Sequence, residues 1–595
     1  MKPMNITELV QQQRDFFHTD TTKSVLFRKQ SLRNLAKWID RHEHDIYTAL
    51  KSDLNKSSFE SYMTEIGIVK NELRHTLEHL NEWTRPKRVP TPMVQFPAVS
   101  FIMPEPLGVT LIMAPWNYPF QLNVVPLIGA IAAGNCAILK PSAYAPHTAK
   151  LMEQMVSECF SEKHIAVVLG GREENTLLLE EKFDFIFFTG STSVGKLVME
   201  KASKHLTPVC LELGGKSPCI VDETANIALA AKRIVFGKLL NAGQTCVAPD
   251  YVYVHNTVKE SLMYYMKQYL SDFLGSYPLD NQNYPKIINE KHFHRLMDLM
   301  DGQEIITGGV GNEHGQIAPT ILDNVHPDSP VMQEEIFGPI LPLLTYHDIE
   351  DVITWIRSRP KPLALYLFSN CKTTQKRILQ SLSFGGGCIN DTIMHLASHH
   401  LPFGGVGESG MGSYHGKQSF LTFSHQKSIL KKSNRFDIPV LAEEFLRAGV
   451  DIDMSKRKFV DVQVIFHKME QRTLTAAYKF YCGRNLEDAH TAEADTRATY
   501  EVLMAQLDRY PEELQNDMSF LADYSSYNKN VDFAGRMVYD DNGVEVFNFG
   551  KYKGQSVSEV LKKDPGYYSW ILNSDFTLNT KAMLTKIRLR ELTGK

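Results

Sequence analysis

Between Glu105 and Lys140 the chain carries no charged side chain. An uncharged run of that length in water is either a membrane span or a buried core. A span needs about 20 continuous apolar residues, and this run is broken by Pro115, Asn117, Pro119, Gln121, Asn123, Pro126 and Asn135. It therefore predicts the interior of a large globular domain. The chain has 595 residues, 43% hydrophobic and 22% charged, enough for three to five domains at about 100–200 residues each. That balance excludes disorder and collagen-like or low-complexity character. Sixty-four Lys+Arg against 68 Asp+Glu leave a net charge of −4, so no overall basic excess directs the chain to nucleic acid. Its eight cysteines contain no C-x-x-C pair, which argues against a zinc ribbon or a disulfide framework and predicts a reducing, cytoplasmic location. The opening segment MKPMNITELVQQQRDFF has no apolar core of a signal peptide.

Apolar periodicity divides the chain. Residues 1–85 place apolar side chains at helical spacing, among them Val10, Phe16, Phe17, Leu26, Leu32, Leu35 and Trp38. From Val109 the pattern changes. GVTLIMAP, CAILKPS, HIAVVLGG and FDFIFFTG predict strands, and HTAKLMEQMVSECF and VGKLVMEKASKHL predict the helices between them. This alternation predicts βαβ units and a parallel sheet covered on both faces. A second α/β stretch begins at Leu211, with strands SPCIVD and YVYVH around the helix ANIALAAKRIVFGKLL. After about Lys432 the texture becomes acidic and amphipathic. Near 545 it changes again to a short basic and aromatic module, FNFGKYKGQSVSEVLKKDPGYYSWIL.

Four features could carry chemistry, each weak alone. Gly190 ends an apolar strand and Gly195 lies at a helix start, so the turn Phe188-Thr-Gly-Ser-Thr-Ser-Val-Gly195 could present backbone N–H groups to a pyrophosphate. Its spacing is not G-x-G-x-x-G, and such turns are more often structural. Cys246, in Asn-Ala-Gly-Gln-Thr-Cys, has the small, polar neighbours that an accessible nucleophile needs, although most cysteines are buried hydrophobes. Glu212 stands between Leu211 and Leu213 at the end of an apolar strand, where burying a carboxylate is costly; it is either a working group or a strand-end surface residue. Asn117, in Pro-Trp-Asn-Tyr-Pro, is either a turn residue or an amide donor to an oxyanion.

Taken together, PWNYPF, ILKPSA, FTGSTSVGK, LELGGKSP, NAGQTC, EEIFGPI and LPFGGVGESGMG, in this order, resemble the aldehyde dehydrogenase superfamily over roughly residues 5–432. PEPLGV, GQTCVAPDYV and GMGSYHGKQSF with FSHQKS are most similar to its class 3 branch, which acts on fatty and aromatic aldehydes. The resemblance implies a Rossmann-like cofactor domain, an α/β catalytic domain and an oligomerisation arm, assembled as a homodimer with no membrane segment. It implies a cytoplasmic enzyme that oxidises medium or long-chain aliphatic or aromatic aldehydes to carboxylates with NAD or NADP. Cys246 would be the nucleophile passing through a thiohemiacetal and a thioester, Asn117 the oxyanion donor and Glu212 the general base. Lys140 would bind a ribose hydroxyl, Gly190, Ser191 and Gly195 would meet the pyrophosphate, and Glu335 and Phe337 would position the nicotinamide end. No metal is implied. Family members that prefer NAD often carry Glu three residues after the Lys140 position. Here that residue is Ala143, which leaves room for NADP.

The remainder resembles a truncated proofreading-type (DEDD) 3′–5′ exonuclease with an incomplete ribonuclease-H-like fold. Ser433-Asn-Arg-Phe-Asp437 matches its second motif and His490-Thr-Ala-Glu-Ala-Asp495 its third, while the D-x-E of the first is missing before Asp437. By resemblance Asp437 and Asp495 would be metal ligands and His490 a base, but two-metal hydrolysis needs the carboxylates of the missing strand as well. This segment is thus expected to be an inactive fusion, poorly packed because Val460, Val462, Val464 and Phe466 lack their sheet neighbour. Nucleic acid is admitted as a partner only through this segment. The expected domains are 1–210, mainly NAD(P)-binding with N-terminal helices; 211–395, mainly catalytic; 396–432, returning to the cofactor and oligomerisation region; 433–530, exonuclease-like; and 531–595, a small exonuclease-associated module. Two alternatives stand beside this reading. One is a nucleic-acid-binding or exonuclease protein on a dehydrogenase scaffold. The other is an acyl-CoA-forming aldehyde dehydrogenase, a branch that usually lacks the glutamate found here at 212.

Overall fold

The computed structural model describes residues 5–92, 95, 98–432, 474–484, 492–525, 530–532 and 534–593. Two compact units result, Met1–Lys87 with Ile102–Ser428, and Arg88–Phe101 with Ile429–Lys595.

The first unit opens with the helices expected from the sequence: Ile6–Phe17, Val25–Arg41, Glu43–Leu54 and Gly67–Trp83. Asn5 and Ser24 start two of them as N-caps, accepting from the amides of Glu8 and Phe27. A π-helical turn, Tyr62–Ile66, leads into Gly67–Trp83.

A six-stranded sheet follows, in the order Gly410–Met411, Val209–Glu212, Phe185–Thr189, Val109–Met113, Cys136–Lys140, Ile165–Val167. All neighbours are parallel except Gly410–Met411, which runs antiparallel along Val209–Glu212. Every residue of the strands Val109–Met113, Cys136–Lys140 and Phe185–Thr189 is buried, as a sheet covered on both faces requires. The helix Gln121–Ala133 is also buried at every position, which explains the missing charges. The amides in the run are spent inside the protein. Asn135 Oδ1 accepts from Gly108 N at 2.8 Å and its Nδ2 donates to Phe423 O at 2.8 Å, while Asn123 Nδ2 donates to Pro119 O at 2.7 Å.

From Val109–Met113 the chain winds through Cys136–Lys140 to Ile165–Val167 on one side. It then returns to build Phe185–Thr189 and Val209–Glu212 on the other. The reversal puts a topological switch point at the carboxyl ends of Val109–Met113 and Phe185–Thr189, where open α/β sheets form their ligand crevice. Met113 lies opposite both Lys140 and Phe188, and Thr189 lies opposite Glu212.

A seven-stranded sheet has the order Glu304–Thr307, Thr320–Asp323, Ile340–Tyr346, Tyr251–His255, Pro218–Val221, Ala364–Phe368, Gly386–Ile389. Only its first pair is antiparallel. A third sheet sets Ala98–Pro106 between Lys87–Val89 and Ser424–Lys432. Among the described residues no helix is long and apolar enough to cross a membrane.

In the second unit the helices Leu474–Cys482 and Ala492–Arg509 meet through Ala477, Tyr478, Ala498 and Val502. The hairpin Met537–Tyr539 with Glu545–Phe547 and the helices Val557–Lys563, Pro565–Asn573 and Leu578–Thr593 enclose Met537, Phe547, Val557, Val560, Ile571, Leu584 and Ile587. The expectation of poor packing therefore fails for residues 530–593. Their apolar side chains close on one another and need no strand from the missing part of a sheet. Asp437, His490 and the Val460–Phe466 stretch lie outside the described residues.

Candidate active site

Cys246 follows the helix Ile227–Leu239 by way of an unusual turn. Asn241, Ala242 and Gly243 have φ of +52°, +50° and +73°, three consecutive left-handed residues. Such backbone costs about 1–3 kcal/mol at each non-glycine position unless its surroundings hold it. Here they do. Asn241 N donates to Glu60 Oε1 at 2.5 Å, and Asn241 Nδ2 donates to Asn117 O at 2.7 Å. Gln244 Nε2 donates to the carbonyls of Asn241 and Lys286, both at 3.0 Å, and Gln244 Oε1 accepts from Ile288 N at 3.1 Å. Glycine is required at 243, because a Cβ there would overlap the Gly338 carbonyl. The turn delivers Cys246 as a partly exposed side chain among buried neighbours.

Glu212 closes the strand Val209–Glu212 and is 2% exposed. Cys210 Sγ makes a long 3.9 Å contact with its Oε1, and Oε2 has no hydrogen-bond partner. Burial drives its carboxyl well above the usual range. The Cys246 thiol is pushed up to about 12, first by burial and then by the negative charges of Glu335 and Glu212. Glu335 is pushed up to about 8, by burial and by Asp250. The sequence-predicted nucleophile and base therefore sense each other, and Glu335 joins them.

Asn117 is 3% exposed and is fixed to the cysteine's own turn, its Nδ2 donating to Gln244 O at 3.1 Å. Its neighbour Tyr118 shares a 2.5 Å hydrogen bond with Thr245 Oγ1. Amide and nucleophile thus come from two segments about 130 residues apart that are hydrogen-bonded at three points.

The loop bearing Glu335 and Phe337 is pinned as firmly. Ile336 N donates to Asp250 Oδ2 at 2.9 Å, Arg295 Nη2 donates to Ile336 O at 2.6 Å, and Lys216 Nζ donates to Asp250 Oδ1 at 2.5 Å. Phe337 has φ +52° and meets Trp116 edge-on, centroids 5.4 Å apart. The Glu335 carboxylate fills the space where a Cβ on Gly214 would stand. Lys216 lies in a motif that the sequence singled out, yet its structural task only becomes visible here. Lys238 was missed altogether: it is 5% exposed, and burial pushes its ammonium down to about 8 beside Asp250 and Glu335.

The remaining predicted residues line the switch point. Lys140 is 3% exposed, is shifted down by burial, and donates to Gly170 O at 2.7 Å and Pro141 O at 2.9 Å. Ser191 is the N-cap of the helix Thr192–Ser203. Gly190 N donates to Glu212 O at 3.0 Å, and Gly195 N donates to Ser191 O at 2.9 Å while Gly195 packs against Leu213. Both glycine amides are thus engaged within the fold, and these residues shape the helix entry.

The chain matches known proteins over most of its length. The model of the aldehyde dehydrogenase family matches residues 2–429, and that of the exodeoxyribonuclease X-like C-terminal family matches residues 547–575. The 4,4′-diaponeurosporen-aldehyde dehydrogenase of Staphylococcus aureus is 50% identical over 454 residues, covering 76% of this chain and 97% of that protein. The dimeric NADP-preferring aldehyde dehydrogenase of Rattus norvegicus is 45% identical, covering 72% of this chain and 95% of that one. A solved structure of the substrate-bound state of Staphylococcus aureus AldH superposes with a TM-score of 0.73 at 48% identity, over 76% of this chain and 100% of that one. The 454-residue match is longer than the 432 residues that precede Ser433, so likeness to this relative continues into the segment holding Asp437.

The charge environment of Cys246 makes a direct prediction. Its alkylation by iodoacetamide should rise with pH through the neutral range without a plateau, because the thiolate is the reactive form and the thiol sits at about 12. Glu335→Gln should raise the rate above about pH 8, where Glu335 is anionic and opposes the thiolate, and leave it unchanged well below. A plateau near neutrality, or a slower rate in the variant, would contradict this electrostatic picture.

Proposed function

Because the chain belongs to the aldehyde dehydrogenase family and oxidises aldehydes with NAD(P), we propose that Cys246, Glu212 and Asn117 carry that reaction. The observation that supports this most is the placement of Cys246: partly exposed, raised by both Glu212 and Glu335, and on a turn to which Asn117 is hydrogen-bonded.

Cys246 Sγ attacks the aldehyde carbon while its proton passes to the ionised form of Glu212. Asn117 Nδ2 and the Cys246 backbone N–H hold the resulting oxyanion of the thiohemiacetal. The nicotinamide dinucleotide, when bound, supplies the hydride acceptor. Collapse of the oxyanion leaves a thioester on Cys246. Glu212 first releases the thiol's proton to solvent, and its carboxylate then takes a proton from water, whose oxygen attacks the thioester carbon. The carboxylate leaves and the Cys246 sulfur is restored. A carboxylate whose pKa is held well above its usual range is a stronger base than an ordinary one, which suits a group that must accept a proton twice in each turnover.

The switch point fits a dinucleotide, because it gathers a helix entry capped by Ser191, the buried cation of Lys140 and the unpartnered Glu212 Oε2 along one sheet edge. Lys140 would take a ribose hydroxyl, Ser191 and the Gly190–Gly195 turn the pyrophosphate, and Glu335 and Phe337 the nicotinamide end. Ala143 is exposed and carries no charge to repel a 2′-phosphate, so NADP should serve as well as NAD. For the substrate we favour medium or long-chain aliphatic or aromatic aldehydes. This preference is supported by likeness to relatives such as the 4,4′-diaponeurosporen-aldehyde dehydrogenase of Staphylococcus aureus. A homodimer in the cytoplasm remains our proposed state, supported by the relative described as dimeric. The acyl-CoA-forming alternative is disfavoured by the presence of Glu212. Nuclease activity is disfavoured because the exonuclease family model reaches only residues 547–575.

Cys246→Ala should abolish oxidation and leave cofactor binding intact. Glu212→Gln should show a burst of NAD(P)H followed by slow turnover, because thioester hydrolysis loses its base. Asn117→Ala should lower kcat by about 10²–10³, the usual effect of removing one oxyanion donor. Near-normal turnover by Cys246→Ala would overturn the assignment.

The tail gives a second expectation. Fragment 1–454, which spans the length of the Staphylococcus aureus match, should keep aldehyde oxidation, and the full chain should not degrade single-stranded DNA with Mg²⁺ or Mn²⁺. Metal-dependent degradation abolished by Asp495→Ala would make the chain bifunctional.

A further inference from the structure

Three charged side chains of the N-terminal helical region are buried where solubility gains nothing from them. Lys56 and Glu65 are both 0% exposed, and Glu60 is 8% exposed. A buried ion pair is weak evidence for stability, since desolvation offsets most of its attraction and an apolar pair of similar volume often does as well. Its contacts are therefore more informative than its charge.

Lys56 Nζ donates to Glu65 Oε1 at 2.6 Å and to Asn117 O at 3.0 Å, and lies 3.9 Å above the centre of the Tyr118 ring. Glu65 Oε2 accepts from Phe120 N at 2.9 Å and Gln121 N at 3.1 Å. The pair thus grips the PWNYPF turn at both ends. Phe120 is the N-cap of the helix Gln121–Ala133 and has no capping side chain, so the Glu65 carboxylate satisfies amides left open at the positive end of that helix. Glu65 lies in the π-helical turn Tyr62–Ile66, a distortion found disproportionately at functional sites. Just before that turn, Glu60 accepts from Asn241 N in the left-handed turn that precedes Cys246. The Asn117 carbonyl is where the two systems meet, because it accepts from both Lys56 Nζ and Asn241 Nδ2.

We propose that Lys56 and Glu65 form a positioning pair for the oxyanion site, setting the Asn117 turn against the Cys246 turn without touching substrate. The inference rests on Asn117 being the oxyanion donor. Lys56 holds the main chain of the residue whose side chain meets the oxyanion, and Glu65 holds the two residues that end the same turn. Loosening either lets the Asn117 amide drift while the cofactor end of the site stays intact. A misplacement of about 1 Å in such a donor can cost about 10²-fold in rate.

The test uses the full chain and the paired variant Lys56→Met/Glu65→Gln. Glutamine keeps an acceptor for the Phe120 and Gln121 amides, and methionine fills the lysine's volume without charge, so this pair should fold where Lys56→Met alone leaves a buried carboxylate unpaired. Circular dichroism and thermal melting establish the fold, and fluorescence titration with NADP establishes cofactor binding. Both should match the parent protein, while kcat and the rate of the NADPH burst fall by about 10–100-fold. In an Asn117→Ala background the same pair of changes should have little further effect, because the side chain they align is gone; a general structural role would multiply the two losses instead. Normal kcat in the folded variant, or fully multiplicative losses, would overturn the proposal. Normal kcat for Asn117→Ala alone would show the oxyanion assignment itself to be wrong, and the pair's role with it. If the paired variant does not fold, Glu65→Gln alone is read against the same outcomes.

Discussion

Desolvation is the physical constraint on which the candidate site depends. Burial is the largest cause of the upward displacement of Glu212, Cys246 and Glu335, and of the downward displacement of Lys140 and Lys238. Each displacement favours the neutral form. Charge that develops during reaction therefore meets fixed donors in place of water. That is the condition under which an amide such as Asn117 has the most effect, since hydrogen bonds to a forming oxyanion strengthen where water is excluded. The same low polarity makes misplacement costly, so the loops carrying these groups are tied down by many hydrogen bonds.

The tying follows a common plan. Cys246 and Glu335 stand beside left-handed backbone, and these two residues and Asn117 are each on a segment held by residues distant in sequence. The left-handed run Asn241–Gly243 is braced by Glu60, Asn117 and Gln244. The loop Glu334–Gly338 is braced by Asp250, Arg295 and Lys216. Strain at Ala242 and Phe337 persists because the surroundings determine it from several directions. Rigid parallel strands supply the platform, and buried polar side chains supply the fine placement.

Much of this was legible in the sequence. The short apolar runs beginning at Val109, Cys136 and Phe185, alternating with amphipathic stretches, became parallel strands buried on both faces. Cys246, Glu212 and Asn117 were singled out only weakly by their own neighbours, and it was the ordered set of motifs around them, taken together, that drew attention to them. Lys56, Glu60 and Glu65 were not readable. Charges at helical spacing normally mark a solvent-facing surface, and only the fold shows that this stretch turns inward around a π-helical turn. Lys238 hid for the same reason, as one cation in an amphipathic helix. The stretch near 545 was legible as a small separate module, but its closed core around Phe547 and Val560 was not, because the whole tail was expected to pack poorly for want of a sheet neighbour.

The most direct test of this account is the identity of the atom that carries the acyl group. Glu212→Gln should be mixed with a medium-chain aldehyde and NADP, quenched in acid within the burst, and digested for peptide mass spectrometry. The acyl mass should appear on the peptide containing Cys246 and on no other cysteine, and should decay at the steady-state rate of turnover. An acyl group on another residue, or no adduct despite a full burst of NADPH, would contradict the assignment of Cys246 and Glu212 as nucleophile and hydrolytic base.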